Sequence, residues 1–176
     1  MSEPRSIPFR CSYWLPDGTL LAGQYPGSQD PDDARERISA LLDAGVRTFI
    51  NLTEEHEPLE PYDEILFEEA SSREIEVEHI RISIRDAHTP DPGVMEKILD
   101  AIRLAKEANR IPYVHCWGGI GRTGTVIACH LVEQGHSPDD ALDMVQGFFE
   151  TYERQFPPYR SPETDAQCEF VRNWRR

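Results

Sequence analysis

Residues 114–124 read VHCWGGIGRTG, and the assignment of these residues decides the fold. The run IPYVHC (111–116) before them is short and apolar, as a buried strand ending at His115 would be, and a helical pattern begins near Gly121. Cys116 to Gly121 then form a turn between strand and helix. Such a turn presents unpaired backbone N–H groups at a helix N-terminus, where the macrodipole also favours negative charge. Gly118, Gly119 and Gly121 let the backbone wrap a ligand closely. Arg122 can lay its planar fork over the same anion. A thiol on the floor of this cradle is pushed toward thiolate, below the ordinary pKa of roughly 8.5. Thr123 follows, with a hydroxyl expected to donate to the sulfur and ease its departure as a leaving group.

Outward from this loop, strands alternate with helices. SYWLPDGTLLAG (12–23) predicts a hairpin around Pro16-Asp17-Gly18. PDDARERISALLDAG (31–45) has Ala34, Ile38, Leu41 and Leu42 at helical spacing, between Pro31 and Gly45. VRTFINL (46–52) is a compact strand, and Tyr62 to Arg73 a second helix. VEHIRISI (77–84) alternates as a strand, with Val77, His79, Arg81 and Ser83 on one side and Glu78, Ile80, Ile82 and Ile84 on the other. Helices follow over about Pro92–Ala108 and Gly121–Gln134. Two more open with Ser-Pro, SPDDALDMVQGFF (137–149) and SPETDAQCEFVRNW (161–174), each with serine as N-cap and proline at the first helical position. The expected fold class is α/β: a single central, mostly parallel sheet flanked by helices, with a short N-terminal hairpin. At 176 residues, one domain spanning 1–176 is expected.

With 18 Lys and Arg against 32 Asp and Glu, the net charge of −14 repels nucleic-acid phosphates and anionic membrane surfaces, so any anion must be held by a local site. The N-terminal stretch has no apolar run of signal-peptide type, and a cytoplasmic location is expected. Cys11, Cys116, Cys129 and Cys168 are scattered, without a C-x-x-C pair, and read as reduced thiols. Cys129 and Cys168 lie on apolar helix faces as inert core residues. Gly119, Gly121 and Gly124 also satisfy G-x-G-x-x-G, with Asp139 or Asp140 about twenty residues on. Those aspartates fall in the first turn of a helix capped by Ser137, however, and too little chain remains for a dinucleotide fold.

The string His115-Cys116-x-x-Gly119-x-x-Arg122-Thr123 resembles the signature of the protein tyrosine phosphatase superfamily, H-C-x-x-G-x-x-R-[ST], and its context is most similar to the small dual-specificity branch. Looser similarity extends through LLAGQYPG, VRTFINLTEE, IRDAHTP and ETDAQCEFVRNW. The low-molecular-weight phosphatases, whose C-x-x-x-x-x-R lies near the N-terminus, do not match position 116. The resemblance implies a phosphocysteine mechanism, with Cys116 as nucleophile and the loop Trp117, Gly118, Gly119, Ile120 and Gly121 binding phosphate together with Arg122. It also implies an upstream general acid that reverses its role as general base when water hydrolyses the phosphocysteine, and for this residue Asp86 and Asp91 compete. Asp91 precedes Pro92 and is better explained as an N-cap, which leaves Asp86, in the loop ending at Pro90. Thr123 completes the catalytic set. His115 is expected to support the loop by hydrogen bonding, not to act as a base.

The implied activity is that of a monomeric protein phosphatase, needing no metal or cofactor and acting on phosphotyrosine, with phosphoserine and phosphothreonine as further targets. The loop positions Trp117, Gly118 and Ile120 carry no cation, which favours phosphoproteins over inositol or lipid phosphates. Trp117 either walls the pocket or packs on a neighbouring helix. Glu54, Glu55 and Glu57 follow a strand and are candidates for the entrance, with plain solvation as the simpler reading. Two rivals stand beside this activity: a phospho-binding module without catalysis, and a redox sensor pairing Cys116 with Cys11 or Cys129.

Overall fold

The computed structural model describes residues 5–152 and 160–176. Its centre is a five-stranded sheet in the order β1-β2-β5-β3-β4. The strands are β1 (Ser12–Trp14), β2 (Leu21–Gly23), β3 (Val46–Asn51), β4 (Glu78–Arg81) and β5 (Ile111–His115). β1 and β2 pair antiparallel as the predicted hairpin, and the pairs β2·β5, β5·β3 and β3·β4 are all parallel. The helices are α1 (Pro31–Asp43), α2 (Asp63–Ser72), α3 (Pro92–Glu107), α4 (Gly121–Glu133), α5 (Pro138–Glu150) and α6 (Asp165–Asn173). The α/β class and mostly parallel sheet expected from the sequence are those observed.

Alternation along the strands sends neighbouring side chains to opposite faces, which gives two apolar layers. Leu21, Phe49 and Tyr113 face α1 and α2, meeting Ile38, Leu41, Leu42 and Leu66. Ala22, Ile50 and Val114 face the other way, onto residues of α3, α4 and α5 such as Ile98, Ile127 and Val145, with Val171 of α6 in the same layer. α4 is buried along nearly its whole length, from Gly121 to Leu131, so its N-terminus is rigidly placed. No helix among the described residues is long and apolar enough to cross a membrane.

Two local expectations differ from the structure. The ladder of β4 ends at Arg81, short of the predicted Ile84. Ile82 N and Ile84 N still donate to Asn51 O and Leu52 O, but Ser83 Oγ donates to Thr53 O and the chain leaves the sheet edge. The facing sides were read correctly, with Ile82 and Ile84 in one layer and Val77 in the other. α6 does not begin at Ser161-Pro162, which are joined by a cis peptide bond. Thr164 is its N-cap, in a capping box with Gln167. Two reciprocal bonds from Thr164 and Gln167 outweigh the Ser-Pro signal, and the Ser161 hydroxyl is used elsewhere. In α5 the same signal holds, since Ser137 Oγ accepts from Asp140 N.

Candidate active site

The parallel strands β3, β4 and β5 all point their C-terminal ends to one edge of the sheet, where open α/β folds place ligands. The loop after β5 carries Cys116, the loop after β3 carries Glu57, and the chain beyond β4 carries Asp86. Residues far apart in sequence therefore meet around the N-terminus of α4.

The loop is held by its carbonyls. The Cys116 carbonyl accepts from His115 Nδ1 (3.1 Å) and that of Trp117 from Tyr25 N (2.9 Å). Gly119 O accepts from Tyr152 Oη (3.0 Å) and Ile120 O from Ser161 Oγ (2.7 Å). Among the described residues, the N–H groups of Trp117 to Arg122 have no protein acceptor. With the carbonyls drawn outward, these donors are free to line the concave side, as an anion cradle requires. Gly119 adopts φ +70°, and a side chain there would collide with the backbone of Gly23 and Gln24. Only glycine fits that crossing.

His115 is hydrogen-bonded at both ring nitrogens. Its Nδ1–H donates to Cys116 O, and Nε2 accepts from Tyr62 Oη at 2.6 Å, an arrangement that fixes the neutral tautomer. Complete burial, with the charges of His79, Arg81 and Arg122 adding to it and the bond to Cys116 O opposing, lowers its pKa to about 3. The imidazole is thereby kept neutral, with both ring nitrogens engaged by Tyr62 and Cys116 O.

Cys116 is buried at the floor of the loop, 3% exposed. Arg122 is buried more deeply still, at 1%. Its fork is taken by Glu57, with Nη1 to Oε1 at 2.5 Å and Nη2 to Oε2 at 3.1 Å, and Nη1 also donates to Ile84 O at 3.0 Å. Asp86 Oδ1 lies 3.1 Å from Nη2, while its own side chain is 63% exposed. Burial alone would disfavour the Arg122 charge, but the Glu57 bond and the negative charges of Glu57 and Asp86 reinforce it. Two buried polar atoms of the site, Arg122 Nε and Thr123 Oγ1, make no protein hydrogen bond. The bond expected from Thr123 to the sulfur is therefore not formed in this arrangement.

The other candidate residues separate cleanly. Trp117, in the loop itself, stands 44% exposed. Asp91 occupies the N-cap position of α3 without a side-chain cap bond. Of the three loop acids, Glu57 turns inward, with only 7% of its side chain exposed. Cys129 is fully buried and desolvation pushes its thiol up, as it does that of half-buried Cys168. All four cysteines are free thiols. Asp139 and Asp140 sit in the first turn of α5, away from any strand end, which disposes of the dinucleotide reading.

Sequence reading missed Glu163. Its carboxyl lies against Gly121, so closely that a β-carbon there would come within 2.8 Å of Glu163 Cδ. Burial and the charge of Asp86 raise its pKa, against an opposing effect of Arg122.

Residues 9–171 match the family described as Swiss Army Knife protein, DSP-PTPase phosphatase domain. Among curated relatives, the cyclin-dependent kinase inhibitor 3 of Rattus norvegicus is 35% identical over 65 residues, 36% of this chain and 31% of its own. The phosphatidylglycerophosphate phosphatase PTPMT2 of Arabidopsis thaliana is 31% identical over 119 residues, 66% of this chain and 46% of its own. The chain thus spans less than half the length of either. The crystal structure of PTPMT1 in complex with PI(5)P superposes with a TM-score of 0.66 at 21% identity, covering 92% of each chain. With the family match covering nearly the whole chain, the protein belongs to the DSP-PTPase phosphatase domain family, the dual-specificity branch of the cysteine-based phosphatases.

Proposed function

We propose that this protein is a metal-independent phosphatase that hydrolyses phosphotyrosine, and secondarily phosphoserine and phosphothreonine, in proteins through a phosphocysteine intermediate. It is further proposed to work as a monomer in the cytoplasm. The observation that carries the activity is the set of unpaired donors around Cys116: the loop N–H groups, Arg122 Nε and Thr123 Oγ1. Such preorganised donors stabilise the equatorial oxygens of a phosphoryl group as it transfers. The Cys116 sulfur attacks phosphorus in line, and the ester oxygen leaves with a proton from Asp86, whose exposed side chain reaches the mouth beside Arg122. Water then attacks phosphorus, giving a proton back to Asp86, and the S–P bond breaks to release phosphate and regenerate the thiolate, whose departure the Thr123 hydroxyl, unbonded in the resting site, eases by donating to the sulfur.

A lipid or inositol phosphate is the second reading. It is favoured by relatives named for phosphatidylglycerophosphate and solved with PI(5)P. Three carboxylates in the neighbourhood of Arg122, from Glu57, Asp86 and Glu163, weigh against a substrate with several adjacent phosphates.

The test is turnover of an aryl phosphate in the presence of a chelator. Cys116→Ser is expected to lower turnover by roughly 1,000-fold or more while still binding a phosphotyrosyl peptide. Turnover close to that of the parent would remove Cys116 from the mechanism. Asp86→Asn should slow alkyl phosphates more than activated aryl phosphates, whose leaving groups need no proton. Comparing kcat/KM for phosphotyrosyl peptides and phosphatidylinositol monophosphate vesicles decides between the two substrate classes.

A further inference from the structure

α6 buries Gln167 and Val171 against the rest of the molecule. A second face, made by Ala166, Glu169, Phe170 and Asn173 at the spacing i, i+3, i+4, i+7, is turned elsewhere. Together with Pro92 at the start of α3 and Trp174 at the end of α6, this face lines a groove of about 380 Å³. The Phe170 and Trp174 rings stack with centroids 5.7 Å apart and give the groove an aromatic wall. A mostly apolar concavity of this size with a few polar groups at its edge is the usual form of a binding groove.

Both walls of the groove lead out of the candidate active site. One wall begins at Thr89, three residues beyond Asp86 in the same loop. The other begins at Ala166, three residues beyond Glu163, whose carboxyl lies against Gly121. Gln167 Nε2 donates to His88 O at 3.3 Å and ties the two walls together at this end. The far end is fixed as well, since Arg175 Nη1 donates to the carbonyls of Arg172 and Trp174. A groove held at both ends needs little ordering when a ligand enters. Its border is acidic: Asp86 and Glu163 stand at the near end, Asp91 beside Pro92, and Glu169 along the helix, against the single guanidinium of Arg175. From Ala166 to Trp174 the helix rises about 12 Å, a length that about four residues of extended chain would span.

We propose that this groove docks the stretch of substrate protein beside the phosphotyrosine, taking a basic residue next to the phosphotyrosine and an apolar side chain about three to five residues away. The inference rests on the phosphoprotein reading above and gives that substrate a sequence preference. The apolar side chain lies on the Phe170–Trp174 wall between Pro92 and Ala166, where aromatic surface supplies most of the contact. The basic residue meets the carboxylates at the near end, which attract a cation and repel an acidic peptide. The same carboxylates, on a chain of net charge −14, oppose approach to an anionic lipid surface, so a peptide suits the groove better than an acyl chain.

The test is kcat/KM on phosphotyrosyl peptides with alanine flanks, in which one leucine is walked residue by residue along either side and the neighbour of the phosphotyrosine is lysine or glutamate. The parent is expected to show a gain of about fivefold or more with leucine at one position, and lysine should outperform glutamate by a margin that shrinks as salt is added. Ala166→Trp, at an exposed position of α6, fills the groove. It should abolish the leucine gain while leaving turnover of a small aryl phosphate within about twofold of the parent, which also reports a folded site. Leucine gains below about fivefold at every position, a gain that survives Ala166→Trp, or a preference for glutamate would each overturn the proposal. So would an Ala166→Trp protein that slows on phosphatidylinositol monophosphate vesicles but not on peptides, a result that gives the groove to an acyl chain. Failure of the phosphoprotein reading looks different: the parent would hydrolyse none of the peptides, and the docking role would fall with it.

Discussion

Arg122 is a cation in a site that almost excludes water, and it persists there because Glu57 meets both of its terminal nitrogens. Burial by itself would raise the Glu57 carboxyl, but the bond from Arg122, that from Glu54 N and the guanidinium charge outweigh it and hold the carboxyl below its ordinary value. Removing one member of such a pair leaves the other charge uncompensated. Glu57→Gln should therefore cost about 2 kcal/mol of stability, read from the denaturant midpoint, and lower kcat/KM for an aryl phosphate about 10-fold as Arg122 loses its orientation. In the sequence Cys116 and Arg122 were plain, since nucleophile, glycines and arginine lie within one short stretch. Glu57 was visible only as one of three entrance acids, because its partner lies 65 positions away. Glu163 gave no local signal at all: a glutamate before a helix reads as a solvated acid until the fold sets it against Gly121.

At the level of elements, helices with strong apolar periodicity were fully legible, and all four residues picked out in α1 are buried. The start of α6 was not, because two capping signals lie three residues apart and the second wins through the Thr164–Gln167 pair. β4 also came out shorter than its alternation suggested, since an edge strand has one neighbour to hold it and side-chain bonds compete at its end. Gln167 carries more than a helix cap, reaching Glu163 N, Thr164 N and His88 O. Gln167→Ala is expected to lower the denaturant midpoint by about 1–2 kcal/mol equivalent, with buried donors left unpaired. It should also reduce kcat, because it loosens the loop that carries Asp86, which Gln167 Nε2 holds at His88 O; steady-state kinetics on an aryl phosphate checks this.

For the whole molecule, the alternation of strand and helix announced a parallel sheet, and that class is observed. Which loops would converge was hidden, since it depends on β5 taking the place between β2 and β3, a long-range pairing without a sequence mark. The same packing buries two histidines in neutral form: His115, lowered to about 3, and His130, lowered to about 4 by burial and by Lys106 against Asp17. Unfolded, both titrate near 6.5, so the unfolded chain binds more protons than the native one between those values. Their contribution is complete above about pH 6.5 and is lost as pH falls toward 4 and then 3. Thermal melts from pH 7 to 4.5 should show Tm falling, and His130→Leu should flatten that slope while leaving the pH 7 value nearly unchanged, because His130 Nε2 already lacks a partner. The seating of Ser161 and Glu163 on Ile120 and Gly121 has a practical corollary for transplantation. An engineer who grafts residues 115–124 onto another scaffold and leaves 161–164 behind would move a bowl without its rim, and the graft should capture phosphate yet turn over poorly.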